Sequence, residues 1–287
     1  MTEALDLAVD DIRRQARITL EAAGVMDQLP VPIELIAAAV DLQRGDLFEF
    51  ANEAPAEMKA IIAKLSGNVL GALSVDERRY YVDPSLPLER RRFTEAHEIG
   101  HDALPWHENA YFAEDHTTLA PKTRVTLEAE ANLFAAEILF AADRFNIEAD
   151  ASAASIDVPL GLNTKYQTSA AAALQRYVSN SRRALALIGT GLMPSRRGHV
   201  PIYSALTCQS LKFREKYGAV GPMLGSWLGP KHYPEVDRLN HYHRGVIDGT
   251  EITLDTAQGR KRFIAEGFGN GHNGFVLIRP RALTELR

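Results

Sequence analysis

One cysteine, Cys208, stands in 287 residues. A lone thiol cannot build an internal disulfide framework, and such a chain suits a reducing cytoplasm. Cys208 itself reads as a small buried hydrophobe. Long apolar runs are missing too. No stretch approaches the roughly 18 apolar residues of a membrane span, so no membrane partner is expected. The first residues, Met1-Thr-Glu-Ala-Leu-Asp6, are acidic and put no basic region before an apolar core, so no signal peptide is expected. These absences point to a cytoplasmic location. With 46% apolar and 24% charged residues the chain has the composition of an ordinary folded protein. Its length exceeds one small core and fits two or three domains.

Strong net charge is also lacking, at −5 overall, but the total hides a division. Residues 1–150 carry 14 Lys and Arg against 28 Asp and Glu, whereas residues 151–287 carry 18 against 9. Separate modules follow from that asymmetry. The basic one either meets an anionic partner or is attracted to the acidic one.

Phe93-Thr-Glu-Ala-His-Glu-Ile-Gly-His101 contains the pattern H-E-x-x-H. On a helix, positions four apart lie on one face, so His97 and His101 can reach one ion. Glu98, turned about 100° from His97, borders that face and can take a proton from water without ligating. Pro84 and Pro87 precede a helix expected over 88–104, and Pro105 ends it. Its expected apolar stripe is Phe93, His97, Gly100, His101 and Leu104. Gly100 costs about 1 kcal/mol relative to Ala in a helix and leaves room for a neighbour.

Upstream, residues 5–24 read as an amphipathic helix through Leu5, Val9, Ile12, Ala16 and Leu20, stopped at Gly24. A short helix is expected over 33–40, a strand over Leu42–Phe50 and a helix near 56–65. Val69–Leu73 and Arg79–Val82 read as strands joined through Asp76 and Glu77. An edge strand beside a metal cleft can bind an extended peptide by strand addition.

A tetrahedral catalytic site needs a third protein ligand and one open position. The helix expected from Leu127 to Phe140 offers Glu128, on the face of Ala131, Asn132 and Ala135. Asn132, one turn on, can hydrogen-bond a ligand. Glu130 points about 200° away from Glu128 and competes only if that facing is wrong. Between the two helices lie His107, Tyr111 and His116. Tyr111 or His116 can donate to the oxyanion that forms at an attacked carbonyl.

Residues 149–159, rich in Ala, Ser and Asp, read as a linker. Leu160–Leu192 reads as helical, with Thr168-Ser169 capping a helix through Ala173 and Tyr177 toward Ala184. Its first part resembles a helix-turn-helix, with Gln175, Arg176, Arg182 and Arg183 available to DNA or to internal packing. Beyond a boundary at Met193–His199, strands dominate. They begin at His199–Ala205, continue with Glu251–Leu254 after a turn at Asp248-Gly249, and end with Arg260–Glu266 and Gly274–Ile278 around a hairpin loop at Gly269–Asn273. His241 and His243 would share one strand face, without a third ligand nearby. The expected domains are therefore 1–150, 151–194 and 195–287.

Arg91-Arg-Phe-Thr-Glu-Ala-His-Glu-Ile-Gly-His101, followed by Glu128-Ala-Glu-Ala-Asn-Leu-Phe-Ala-Ala-Glu137, resembles the ImmA/IrrE family of metallopeptidases. Leu104-Pro-Trp-His107 and Asp115-His-Thr-Thr118 extend the likeness toward the family's radiation-resistance regulators. The resemblance covers about residues 5–190. It implies an α+β chain: a zincin-like, mostly helical peptidase domain with a small sheet, a helix-turn-helix-like segment and a C-terminal α/β GAF-like sensor domain. It also implies that His97, His101 and Glu128 hold the metal, that Glu98 is the general base, and that the substrate is a helix-turn-helix repressor. Cutting it would induce genes for surviving DNA damage, radiation and desiccation. Zinc is the expected ion, with manganese also suited to two His and one Glu. A small-molecule signal at the GAF-like domain would regulate the peptidase. The competing reading is a DNA-binding regulator whose metal site is structural or vestigial.

Overall fold

A computed structural model of the chain describes residues 2–45, 71–107, 121–191, 199–229 and 244–281. The chain divides into two compact units. One is Met1–Arg144 with Lys165–Thr168; the other is Phe145–Thr164 with Ser169–Arg287. The expected helix near 56–65, the end of the strand expected to Phe50, Tyr111, His116, His241 and His243 all lie outside the described residues.

In the first unit, helix α1 (Thr2–Ala22) buries Ile12, Ala16 and Leu20, a row at helical spacing. Gly24, at φ 67°, takes the left-handed conformation that stops it. Helix α2 (Ile33–Ala39) follows Pro32 and buries Ile33, Ile36 and Ala37. Strands β1 (Gln43–Arg44), β2 (Gly71–Ser74) and β3 (Arg79–Val82) form a sheet of order β1-β3-β2. Strand β3 runs parallel to β1 and antiparallel to β2.

Helix α3 (Leu88–Ala103) starts after Pro87 and gives way to extended backbone at Leu104. It packs on β2 and β3 and also on helix α4 (Pro121–Leu139), which in turn packs on α1. Enclosure from several directions buries Arg92, Ala96, Ile99 and Ala103 besides Gly100, His101 and Leu104. The expected single stripe through Phe93 is thus too narrow: Phe93 and His97 are only partly buried, and Ala96 and Ile99 are fully so. Arg side chains tie the surroundings to α3. Arg92 Nη2 donates to Val31 O at 2.7 Å, and Arg78 donates to both carboxylate oxygens of Asp102. Gly100 is where α3 and α4 come closest to collision: a Cβ there would stand 3.0 Å from Phe134 Cδ1 and 3.3 Å from Ala131 O.

Helix α5 (Arg144–Asp150) leads into the second unit, followed by helix α6 (Asp157–Tyr166) and helix α7 (Ala170–Ser179). Ser169 caps α7, its hydroxyl accepting from Ala172 N at 3.1 Å. The expected linker at 149–159 is not loose. Ile156 is buried, and its N–H donates to Glu266 Oε2 at 2.6 Å.

Strand β4 (Ala186–Thr190), buried along its whole length, corrects the helical reading of Leu160–Leu192. Ala184-Leu-Ala-Leu-Ile188 is an apolar run without helical period, as a strand covered on both faces requires. Strands β5 (Val200–Pro201) and β7 (Trp227–Leu228) pair with each other. Between them come strand β6 (Cys208–Gln209), helix α8 (Leu211–Tyr217) and helix α9 (Val220–Leu224). Strands β8 (Arg244–Thr256), β9 (Gly259–Asn270) and β10 (Gly274–Pro280) complete an antiparallel sheet of order β6-β4-β10-β9-β8.

The expected turn at Asp248-Gly249 is instead an irregularity inside β8, where the register with β9 shifts between Ile247 and Thr250. A Cβ at Gly249 would stand 2.8 Å from Ile264 Cγ2. The hairpin expected at Gly269–Asn273 is present, with Asn270 Oδ1 accepting from His272 N and Asn273 N. Phe213, Tyr217 and Phe263 meet in the core of this unit beside Ile188 and Val276.

Candidate metal centre

Helices α3 and α4 bring His97, His101 and Glu128 together, each offering a ligand atom, with all three atoms within 4.8 Å of one another. His97 Nε2 and His101 Nε2 are 3.2 Å apart. Glu128 reaches His97 Nε2 at 3.3 Å with one oxygen and His101 Nε2 at 3.8 Å with the other. Two nitrogens bound to one tetrahedral ion at about 2.0–2.1 Å would stand about 3.3 Å apart. The two imidazoles are at that separation.

The donor set fits a divalent ion in a second respect. Each ring's other nitrogen is already engaged, so both Nε2 atoms are left for the cluster. His97 Nδ1 lies 3.0 Å from Asn132 Oδ1, and His101 Nδ1 lies 3.1 Å from His107 Nδ1. Asn132 is one turn beyond Glu128 on α4, so one helix face supplies both the carboxylate and the amide. Glu128 is half exposed, His97 is partly buried and His101 is buried, which places the cluster at the rim of the helix pair.

Electrostatics show how crowded the cluster is. Burial, joined by the nearby His97 and His107, pushes His101 down to about 4. Burial also pulls on His97, but Glu128, Glu98 and Asn132 outweigh it and hold that ring above its ordinary value. Glu128, hydrogen-bonded to His97, is held below the usual glutamate range. Two imidazoles 3.2 Å apart disfavour a second positive charge, and of the two His97, nearer to Glu128 and less buried, is the ring whose charged form is favoured.

Glu98 sits beside the three rather than among them. Burial raises its carboxyl to about 7, with Glu128 adding to the effect and His97 opposing it. A carboxylate near neutrality can take up and return a proton at the pH where it works. Strand β2 confines it: a Cβ at Gly71 would stand 2.6 Å from Glu98 Oε1.

Three further residues, Trp106, His107 and Glu130, adjoin the cluster. His107 is fully buried, and its Nε2 lies 2.9 Å from Glu130 Oε2. Trp106 Nε1 donates to the same oxygen at 2.7 Å. Glu130 is therefore turned away from the ligand cluster, as its helical phase requires, and takes up a different pair of donors. Tyr111 and His116, the expected oxyanion donors, lie outside the described residues.

Three of the four side chains expected to be available to DNA or to internal packing are engaged internally. Arg176 is buried and donates to Asn146 Oδ1 at 3.1 Å, Gln175 donates to Ala205 O at 2.8 Å and Arg183 to Asp150 O at 2.8 Å. Arg182 is exposed. Among the described residues, no helix is long and apolar enough to cross a membrane.

Comparison with known proteins adds two findings. Residues 60–177 match the peptidase-family model described as the IrrE N-terminal-like domain, a span that contains α3 and α4 and ends in α7. Among solved structures, a Mycobacterium tuberculosis transcriptional regulator is similar in fold, with a TM-score of 0.53 at 12% identity over 93% of this chain and 75% of that one. No curated protein sequence matches.

Proposed function

Through residues 60–177 the chain belongs to the ImmA/IrrE family, and from that premise we propose that it is a metal-dependent endopeptidase acting on a helix-turn-helix transcriptional repressor. The observation that carries the chemistry is the convergence of His97 Nε2, His101 Nε2 and Glu128 with Glu98 alongside. His97, His101 and Glu128 would hold zinc, or manganese in its place. A divalent ion there supplies Lewis acidity toward the scissile carbonyl and toward water.

The remaining steps belong to the chain's own residues. Glu98 accepts a proton from the attacking water on its carboxylate and delivers it to the nitrogen of the leaving amine. In the metal-free protein burial raises this carboxyl to about 7, which favours holding the proton, and a bound cation would favour the carboxylate that accepts it. Asn132 fixes the ring of His97 from behind. Tyr111 and His116 are the candidates for stabilising the oxyanion.

The choice of substrate rests on family likeness. Family members cut repressors, so the products of this reaction would be two repressor fragments, and the consequence would be derepression of genes for surviving DNA damage, radiation and desiccation. The peptidase would occupy residues 1–150, followed by a segment at 151–194 that is helical through α7 and then gives way to β4, and by a GAF-like sensor at 195–287. The antiparallel sheet of order β6-β4-β10-β9-β8 is compatible with a sensor-like fold, on which a small-molecule signal would act. A cytoplasmic location agrees with the single cysteine.

The competing reading, a DNA-binding regulator with an inert metal site, loses most of its contacts. Gln175, Arg176 and Arg183 are committed within their own unit, and a purely structural site has no use for Glu98. Purified protein, loaded with zinc or manganese and mixed with candidate helix-turn-helix repressors, tests the proposal. A single metal-dependent cut, located by mass spectrometry, is expected. Intact repressors throughout a panel that includes those encoded beside the gene would reject it.

A further inference from the structure

The partly buried carboxylate of Glu130 is joined to the metal cluster through His107. We propose that Glu130 and His107 are positioning residues that lock His101 in the tautomer able to bind a metal ion. This inference rests on the metal reading of His97, His101 and Glu128.

The geometry leaves few choices. An ionised carboxylate only accepts hydrogen bonds, so the 2.9 Å contact between His107 Nε2 and Glu130 Oε2 places a hydrogen on Nε2. Trp106 Nε1–H, donating to the same oxygen at 2.7 Å, holds that carboxylate in place. In a neutral His107 the hydrogen on Nε2 leaves Nδ1 as an acceptor. His101 Nδ1, 3.1 Å away, must then be the donor. Its Nε2 is consequently stripped of hydrogen and presents a lone pair toward His97 Nε2 and Glu128.

The reverse polarity would put a hydrogen on His101 Nε2, pointing into the cluster, and that ring could not ligate. One chain of hydrogen bonds thus settles which nitrogen of a buried imidazole carries the hydrogen. It also ends on a carboxylate, which raises the basicity of the ligand.

The two ligand histidines are supported differently. His97 leans on the exposed amide of Asn132, whereas His101 leans on a fully buried ring backed by a carboxylate. Partners of this kind typically matter 10- to 100-fold in metal affinity.

The test uses the full-length protein with ¹⁵N-labelled histidine and two variants. His107→Phe keeps a ring of similar size but removes the acceptor, and Glu130→Gln is the milder change should the first fail to fold. Imidazole ¹⁵N shifts of the metal-free protein report the tautomer of His101, and competition with a chromophoric chelator reports zinc affinity. The wild type should carry the His101 hydrogen on Nδ1. His107→Phe should lose that preference and bind zinc about 10- to 100-fold more weakly, with Glu130→Gln changed in the same direction.

A wild-type His101 protonated on Nε2 would overturn the inference. So would folded variants with zinc affinity within about twofold of wild type. If the wild type binds no zinc, the metal reading fails by itself. The tautomer in the metal-free protein then still decides whether the hydrogen-bond chain runs as stated.

Discussion

Gly71 and Glu98 compete for one volume: a Cβ on the glycine would lie 2.6 Å from Glu98 Oε1 and 3.0 Å from its Cγ. Nothing about the backbone demands glycine there; the demand is spatial. The carboxylate can swing aside, but Thr94 Cγ2, 2.7 Å from the same Cβ and buried on α3, cannot, so Gly71→Ala displaces both. The expected result is a folded but less stable protein that still binds zinc, with peptidase activity lowered at least about tenfold, since misplacing a catalytic group by about 1 Å can cost a hundredfold. Thermal melts, chelator competition and initial cleavage rates on the variant check it.

A metal held by His97 and His101 from α3 and Glu128 from α4 clips those helices together. Any ligand that binds only the folded state stabilises it, by about 2.7 kcal/mol at a hundred times its dissociation constant. Adding a chelator should therefore lower the melting temperature of the wild type. His97→Ala should melt at one temperature with or without chelator. Paired melting curves decide it.

Arg176 separates internal packing from DNA recognition. It is buried and donates to Asn146, so Arg176→Ala should cost about 2 kcal/mol of stability, in the range for losing a hydrogen bond to a charged group. A base-reading arginine would instead leave urea unfolding unchanged and alter DNA affinity. Unfolding midpoints and an electrophoretic shift assay on the same variant tell the two apart.

Tyr80, on β3, gives the first unit an alkaline limit. Burial, with Glu95 adding to it, pushes its phenol up to about 12 from 10.0. A folded value above the unfolded one means that the native state holds the proton more tightly. The contribution is whole below pH 10 and is lost as pH rises through about 12. Tyr80→Phe should shed that dependence. The difference in melting temperature between wild type and variant should shift in favour of the variant between those limits.

Much of the ligand cluster could be read along the chain because helical spacing alone carries it. A step of four positions from His97 to His101 sets one face, and Glu128 four before Asn132 sets the other. Gly100 was legible as room for a neighbour, and the neighbour is α4, through Phe134 and the backbone of Ala131. His107 gave no such signal. It follows the helix end, where spacing predicts nothing, and its partners come from residues six before it and twenty-three after it. Glu130 was correctly turned away from Glu128, but a helical phase does not say what waits on the other side.

Two elements of the second unit misled for related reasons. Ala184–Ile188 is apolar at every position, so its pattern cannot distinguish a buried strand from a buried helix. Asp248-Gly249 has turn chemistry, yet the sheet uses it to bend β8 while pairing with β9 continues.

Cleavage by Glu98→Gln is the most direct measurement of the central claim. The substitution keeps the shape of the side chain and all three metal ligands but removes the group that moves the proton. Zinc content measured by mass spectrometry should match the wild type, while cutting of the repressor falls by at least about a hundredfold. A Glu98→Gln protein that holds its metal and still cuts at the wild-type rate would contradict the assignment of Glu98, and with it the proposed peptidase mechanism.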